Sequence, residues 1–401
     1  MDETQFKHGN EEIALRPTAA VIDLDAARSN TMAVRRKVGE GVKIMAVVKA
    51  NAYGHGLVPM AKAFLDYGVD ELGVAFLEEG ILLRKAGIRA PILVLGGIIG
   101  NQIVHFLDYD LQLTASSVFK LQQIDDVAAQ TGRRASVHLK IDTGMERIGV
   151  HWYSASSLFE TALRAKHCVI RGVFSHLASS DSSDPSFTET QLARFSEALD
   201  FFPRHGLPMP VRHIANSAAI LQHPTSIFEM VRPGLILYGV CPSMRLAHAL
   251  ALRPALSLRT RIVYFKVVRA GASVSYDRTW TADRDTRVVT LPVGYGDGYP
   301  RGISEKAQVL IHGKRYPVVG RITMDATMVN LGEDSAHNGD EVVLLGAQGD
   351  DCISVEELAD WLGTIPYEIL TMINTRVPRS YVPLPAETRD QRPEIESLNG
   401  G

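Results

Sequence analysis

Two textures of apolar and polar positions divide the chain. From Thr18 to about Tyr238, short apolar runs alternate with stretches of helical spacing. The runs fall at 20–22, 44–48, 72–76, 92–95, 111–113, 137–141, 169–174, 213–215 and 234–237. Amphipathic segments such as 58–67, 78–86, 118–131 and 188–201 lie between them. This alternation predicts parallel strands joined by helices. Eight or nine strands over roughly 220 residues fit an eight-stranded (β/α)₈ barrel better than a doubly wound sheet.

After about Leu250 the helical spacing fades. Runs at 256–268, 287–292, 307–311, 316–319, 327–329 and 341–345 are separated by turns rich in Gly, Asp and Pro. That texture predicts a mostly-β domain. Ser354, with Glu357 three positions on, predicts the start of one short helix over 355–362. The expected fold class is therefore α/β, a TIM-like (β/α)₈ barrel followed by a mostly-β C-terminal domain. The expected boundaries are a flexible leader at 1–16, the barrel at 17–250, the β-rich domain at 251–385 and a flexible tail at 386–401.

Composition narrows the partners. The 401 residues are 46% hydrophobic and 22% charged, with a formal net charge of −3. Such a balance exerts no broad pull toward nucleic acid or a membrane surface. No run reaches the roughly 18 apolar residues of a membrane span. The first twelve residues are polar and acidic, unlike a secretory signal, so a cytoplasmic location is expected. Cys168, Cys241 and Cys352 lie far apart with no C-x-x-C pair. They read as small core hydrophobes, and neither a disulfide nor a metal site is expected.

Candidate chemistry sits where the runs end. Lys49 closes the apolar run at 44–48. Burying an ammonium is costly unless it is paired or gives up its charge. A lysine that gives up its charge is a good Schiff-base former. The alternative is a lysine that simply reaches solvent at the strand's end. Lys140-Ile141-Asp142, Ser175-His176, Asn216-Ser217 and Arg232-Pro233-Gly234 mark other run boundaries. A barrel gathers its chemistry at such strand ends. Taken singly, His176 also fits a satisfied core histidine, Arg232 a surface arginine before a turn, and Tyr276 a half-buried core tyrosine.

Together these residues resemble alanine racemase, a fold-type III family that uses pyridoxal phosphate (PLP). The likeness runs through Ala46-Val-Val-Lys-Ala-Asn-Ala-Tyr-Gly-His-Gly56, Lys140-Ile-Asp-Thr-Gly-Met-Glu-Arg147, His213-Ile-Ala-Asn-Ser217 and Val231-Arg-Pro-Gly234. It continues through Val274-Ser-Tyr276, Val293-Gly-Tyr-Gly-Asp-Gly298, Val319-Gly-Arg-Ile-Thr-Met-Asp325 and Arg376-Val-Pro-Arg379, in order across residues 17–382.

The resemblance implies that Lys49 carries PLP. It implies that the Tyr53 and Ser217 hydroxyls and backbone N–H groups near Gly234 and Leu235 hold the phosphate, with His213 in support. Lys49 and Tyr276 would be bases on opposite faces of the substrate Cα, since a racemase must remove a proton on one face and return it on the other. A phenol titrates near about 10, so Tyr276 needs help, which the family draws from His176 and, through it, Arg232. The family places Arg232 at the pyridine nitrogen. An arginine there donates a hydrogen bond and hardly surrenders its proton, which makes the ring a weaker electron sink.

Arg147 would meet the substrate carboxylate. Lys140 matches a lysine that relatives often carry carbamylated. Tyr295, Met324 and Asp325 would shape the entrance and pocket. The implied assembly is a homodimer with shared active sites. The implied activity is interconversion of L- and D-alanine, supplying D-alanine for peptidoglycan, with a broader serine/alanine racemase as the alternative. Three departures stand out: Glu146 could compete for Arg147, Thr323 replaces a Cys, and Thr375 is smaller than the tyrosine some members carry.

Overall fold

The computed structural model describes residues 16–383. The expected tail, and the expected leader apart from Arg16, lie outside the described residues. Two compact units form. One is Asp23–Ala255; the other joins residues 16–22 to Leu256–Val382.

The first strand, β1 (Ala19–Asp23), corrects an expectation. Its run was read as opening the barrel, but it pairs antiparallel in the second unit, with Ala20 opposite Leu258. Its buried positions alternate, Ala20 and Ile22 facing inward. That period suits a sheet with one covered face, whereas barrel strands are buried on both.

Within Asp23–Ala255 the strands are β2 (Lys43–Val47), β3 (Glu71–Val74), β4 (Ile92–Val94), β5 (Leu113–Ala115), β6 (Ala135–Asp142), the short β7 (Val150–His151), β8 (Cys168–Phe174), β9 (Val211–His213) and β10 (Met230–Val231). Parallel pairs run β10–β2–β3–β4 and β5–β6–β8–β9. Val94 N–H donates to Gln112 O and Gln112 N–H to Ile92 O (3.1 and 2.8 Å), joining β4 to β5. Arg232 N–H donates to Ala215 O at 2.9 Å just beyond β9 and β10, which closes the ring. Eight parallel strands thus make the expected barrel. Met45, Leu93 and Met230 pack in its interior with Leu95 and Val211.

The run at 234–237 is not the last strand. Residues Leu235–Tyr238 form a 3₁₀ turn ended by Gly239 at φ 81°. All four are buried, so the run has no polar phase to distinguish strand from turn. The true last strand is β10, which places Arg232 at its C-terminal end.

The second unit holds β11 (Leu256–Arg261), β12 (Tyr264–Val268), the ribbon β13 (Ser273–Val274) and β14 (Trp280–Thr281), β15 (Thr286–Leu291), β16 (Gln308–Ile311), β17 (Lys314–Pro317), β18 (Thr327–Gly332), β19 (Glu341–Gln348), β20 (Asp351–Ile353) and β21 (Arg379–Val382). One sheet runs β17–β16–β19–β11–β1–β21, and β12–β15–β18 form a second. The run read as one strand at 256–268 therefore divides between two sheets. The expected helix is Val355–Leu362: Ser354 Oγ accepts from Glu357 N–H (3.1 Å) and Ser354 N–H donates to Glu357 Oε2 (3.0 Å). Cys168 and Cys241 are buried as expected, but Cys352 is exposed on β20, so it is not a core hydrophobe.

Candidate active site

Strand β2 delivers Lys49 into an unusual turn. Ala50, Asn51, Ala52 and Tyr53 have φ of 52°, 55°, 53° and 50°, one turn of left-handed helix. Each such residue costs roughly 1–2 kcal/mol, so the surroundings must hold the turn in place. Glu79 does much of this. One carboxylate oxygen accepts from Ala50 N–H (2.6 Å), the other from Ala75 N–H (2.8 Å) and Phe76 N–H (3.2 Å). Asn51 Oδ1 accepts from Leu57 N–H at 2.8 Å. Nothing in the sequence singled out Glu79; it opens an ordinary amphipathic helix.

The turn folds Tyr53 back against Gly234. A Cβ on Gly234 would stand 2.6 Å from the Tyr53 hydroxyl oxygen. Ser217 Oγ accepts from Gly234 N–H at 2.9 Å. Tyr53 packs on Tyr238 with ring centroids 5.1 Å apart, and the Tyr238 hydroxyl donates to Val47 O (3.0 Å). Two hydroxyls and a side-chain-free backbone therefore converge on one cradle, as an anion such as a phosphate requires. Leu235 follows at once in the same buried turn. Gly234→Ala is expected to weaken the hold on a phosphate-bearing ligand by about tenfold or more, because the methyl displaces Tyr53. Titration of the protein with PLP checks this; an unchanged affinity would remove the cradle from the phosphate site.

Lys49 is half-buried. Its pKa is lowered by burial first and Arg147 next; Glu79 pulls the other way, and Arg232 adds a smaller lowering. A neutral amine is what both Schiff-base formation and proton abstraction need. The solvent-reaching alternative does not describe this side chain.

Arg232 is 4% exposed and held from several sides. Nη1 donates to His213 O (2.7 Å) and to His213 Nδ1 (3.0 Å). Nη2 donates to Ser175 O (2.7 Å), and His176 Nδ1 lies 3.3 Å away. A guanidinium only donates, so His176 Nδ1 accepts and His176 Nε2 carries the ring proton. Burial pushes the Arg232 guanidinium down to about 9, with Arg147 adding to the shift, and it remains charged at neutral pH. His176 and His213 are both held well below the usual imidazole range, by burial first and Arg232 second. Each is neutral.

Lys140 is buried, its Nζ 4.9 Å from the centroid of the Phe174 ring and 3.4 Å from Ile141 O. Burial, then the nearby Arg232, lowers its pKa well below the ordinary lysine value.

Asp142 shapes the loop that carries Arg147, accepting from the backbone N–H groups of Gly144 (2.8 Å), Glu146 (3.2 Å) and Arg147 (3.2 Å). The expected competition of Glu146 for Arg147 does not occur. Glu146, at φ 53°, pairs instead with His151 at 2.9 Å. The Arg147 side chain is exposed and makes no ion pair among the described residues.

Tyr276, Tyr295, Met324 and Asp325 all lie in the second unit. Tyr276 is 68% exposed, so it is not a core tyrosine. It sits on a strained turn between Ser275 (φ 69°) and Asp277 (φ 61°). Ser275 Oγ donates to Arg321 O (2.6 Å), and Asp277 pairs with Arg301 at 3.3 Å. Tyr276, Ser275 and Thr323 line a cavity of 790 Å³ together with Met328, Thr290 and Lys266. Tyr295 and Met324 are adjacent, since Tyr295 N–H donates to Thr323 O and Gly296 N–H to Met324 O (3.0 and 2.9 Å). Asp325 is engaged by Arg376 at 2.6 Å. Sequence reasoning also missed His138, Gln112 and Phe174; a histidine inside the apolar run at 137–141 was the available signal. Among the described residues no cluster of His, Cys, Asp and Glu could hold a metal, and no helix is long and apolar enough to cross a membrane.

Comparison with known proteins gives a consistent answer. Residues 22–242 match the family described as alanine racemase, N-terminal domain, and residues 255–381 match its C-terminal domain. An alanine racemase of Symbiobacterium thermophilum is 45% identical over 368 residues, covering 92% of this chain and 97% of its own. The alanine racemase of D-cycloserine-producing Streptomyces lavendulae superposes with a TM-score of 0.89 at 38% identity, covering 94% of this chain and 99% of that one. The alanine racemase of Bacillus anthracis, solved with bound L-Ala-P, superposes at 0.87 with 37% identity, covering 92% and 95%.

Proposed function

The chain belongs to the alanine racemase family, and from that premise we propose a PLP-dependent, two-base interconversion of L- and D-alanine that supplies D-alanine for peptidoglycan. The observation that carries the reading is a Lys49 whose pKa is lowered by burial, together with an obligate donor, Arg232, and the Tyr53–Ser217–Gly234 cradle. These residues fit PLP: a lysine for its aldehyde, a cradle for its phosphate, and a guanidinium for its ring nitrogen. The chemistry the cofactor supplies when bound is withdrawal of the electron pair left at Cα as its proton departs.

Lys49, which would hold the cofactor, would also move a proton on one face of Cα. Tyr276 moves one on the other. His176, with its ring proton on Nε2, would offer a donor suited to steady a tyrosine that has given up its proton. Arg232 donates to the ring nitrogen without handing over a proton, which favours quick return of the Cα proton. Arg147 binds the substrate carboxylate as a charge-assisted donor. Lys140, buried and lowered in pKa, would add carbon dioxide through its neutral amine and release one proton to solvent, leaving a carbamate anion in the field of Arg147. Tyr295, Met324 and Asp325 shape the pocket.

A homodimer with shared sites is supported by exposure. Tyr276, Met324 and Tyr295, with Tyr264, Phe265 and Val267 on β12, leave large apolar side chains uncovered. The cytoplasm is proposed as the compartment, consistent with three free cysteines. The test is direct: purify the protein with PLP, reduce with borohydride, and map the modified peptide. Attachment at Lys49 is expected; no reducible absorption band would sink the PLP reading.

A second reading rests on Thr375, which is exposed and small. The site is then wide enough for serine as well as alanine. Thr375→Tyr is expected to lower the serine-to-alanine rate ratio by about tenfold, the scale of one group's steric selection. An unchanged ratio assigns Thr375 no part in selection.

A further inference from the structure

Arg232 heads a line of polar side chains that crosses the barrel and that no step above uses. Its Nη1 donates to His213 Nδ1 (3.0 Å); His213 Nε2 lies 2.9 Å from His138 Nδ1; His138 Nε2 lies 3.1 Å from Gln112 Oε1. Because a guanidinium has no lone pair to offer, His213 Nδ1 must accept. The His213 proton is then on Nε2 and is donated to His138 Nδ1. The His138 proton is on Nε2 and is donated to the amide oxygen of Gln112. Each tautomer follows from the one before it.

Neither imidazole can take a second proton without turning an acceptor into a donor, His213 Nδ1 against Arg232 and His138 Nδ1 against the His213 Nε2–H. Both are fully enclosed, at 0% and 1% exposure. Burial, and then Arg232, drives His138 down to about 3.

The fold makes room for this line. The β6–β8 register shifts between Val137 and His138, bringing His138 opposite Gly172. A Cβ on Gly172 would stand 2.7 Å from His138 Nδ1. A bulge that re-aims a side chain, facing a glycine that clears its path, is a placed feature. Phe174 stacks on His213 (4.8 Å, 5° between planes) and meets His138 edge-on (6.4 Å, 77°), which fixes both ring planes.

We propose that His138 and Gln112 are positioning residues for Arg232. They provide the chain of acceptors, His138 buried and Gln112 half-buried, that keeps the His213 Nδ1 lone pair aimed at the guanidinium, and so hold that guanidinium toward the ring nitrogen of the pyridine cofactor. Without His138, His213 must leave a buried N–H unpaired or turn over and present N–H to another donor. The proposal rests on the PLP reading of Arg232.

The test uses full-length protein labelled with ¹⁵N-histidine, read by long-range proton–nitrogen correlation, with PLP as the ligand probe. In wild type, His213 is expected as a single Nε2–H tautomer. His138→Leu removes the acceptor: the His213 signal is expected to lose that single form, and PLP to bind on the order of tenfold more weakly. His138→Asn restores an acceptor near the position of Nδ1, and both readouts are expected to return to within about twofold of wild type. A side chain that merely filled space would rank leucine with asparagine. Gln112→Leu, at a half-buried position, guards against misfolding of the first variant; it is expected to broaden the His138 tautomer and weaken PLP by a smaller factor in the same direction. A His213 tautomer unmoved in both leucine variants, or PLP affinity unmoved in both, overturns the proposal. Wild type that takes up no PLP overturns the cofactor reading and the proposal with it, and is told apart because the unaltered protein itself fails.

Discussion

Lys49→Ala is expected to abolish racemisation in both directions, with turnover down by at least about 10⁴-fold. The size follows from two roles in one side chain. In the proposed reaction Lys49 would be both the covalent anchor of the cofactor and the base on one face of Cα. Its geometry is specific to both. It leaves β2 into a left-handed turn held by Glu79 and Asn51, and burial with two neighbouring arginines lowers its hold on a proton. Loss of one base alone would be asymmetric between L- and D-alanine; loss of the anchor removes both directions together. Chiral chromatography of alanine incubations gives the measurement. A variant retaining more than about a tenth of wild-type activity would place the anchor elsewhere, since a single lost weak contact accounts for about that much.

Tyr276→Phe is expected to lower turnover by about 10²- to 10⁴-fold, the range for losing one acid–base group, while PLP uptake stays near wild type. The remaining activity should be direction-dependent, with the larger substrate isotope effect for Cα-deuterated L-alanine. Equal isotope effects in the two directions would count against the face assigned to Tyr276. Because Tyr276 is 68% exposed on the second unit, the same variant also tests the shared site. In a dimer that draws Lys49 from one copy and Tyr276 from the other, a hybrid of Lys49→Ala and Tyr276→Phe chains has one doubly altered site and one intact site. Half of randomly mixed dimers are hybrids, so reassociated mixtures should recover roughly a quarter of wild-type activity. Mixtures as inactive as either parent would mean that each copy completes its own site.

Particular residues show how far the sequence could be read. Alternating runs and helices announced the barrel, because a parallel strand must be followed by a crossover. The ends of those strands pointed to Lys49, Lys140, His176, Ser217 and Arg232, because polar groups break apolar runs visibly there. Two elements were misplaced for the same physical reason. The runs at 20–22 and 234–237 are apolar enough for any buried setting, and only tertiary pairing sends one to the antiparallel sheet and coils the other into a 3₁₀ turn. The left-handed turn after Lys49 was not legible, since three of its four residues have no intrinsic liking for positive φ and are held by Glu79, distant in sequence. His138 and Gln112 were hidden because a hydrogen-bond line between strands has no period along the chain. Glu146 was read as a rival for Arg147, and it took the position of His151 to show where its charge is spent.

The measurement that bears most directly on the central reading is incubation of the PLP-loaded protein with L-alanine, and separately with D-alanine, in deuterium oxide, followed by chiral analysis and mass spectrometry. Both incubations should converge on equal amounts of the two enantiomers, since mirror-image substrates have equal free energy, and the newly formed enantiomer should carry deuterium at Cα. Alanine returned unchanged in configuration, or loss of its carboxylate as carbon dioxide, would contradict it.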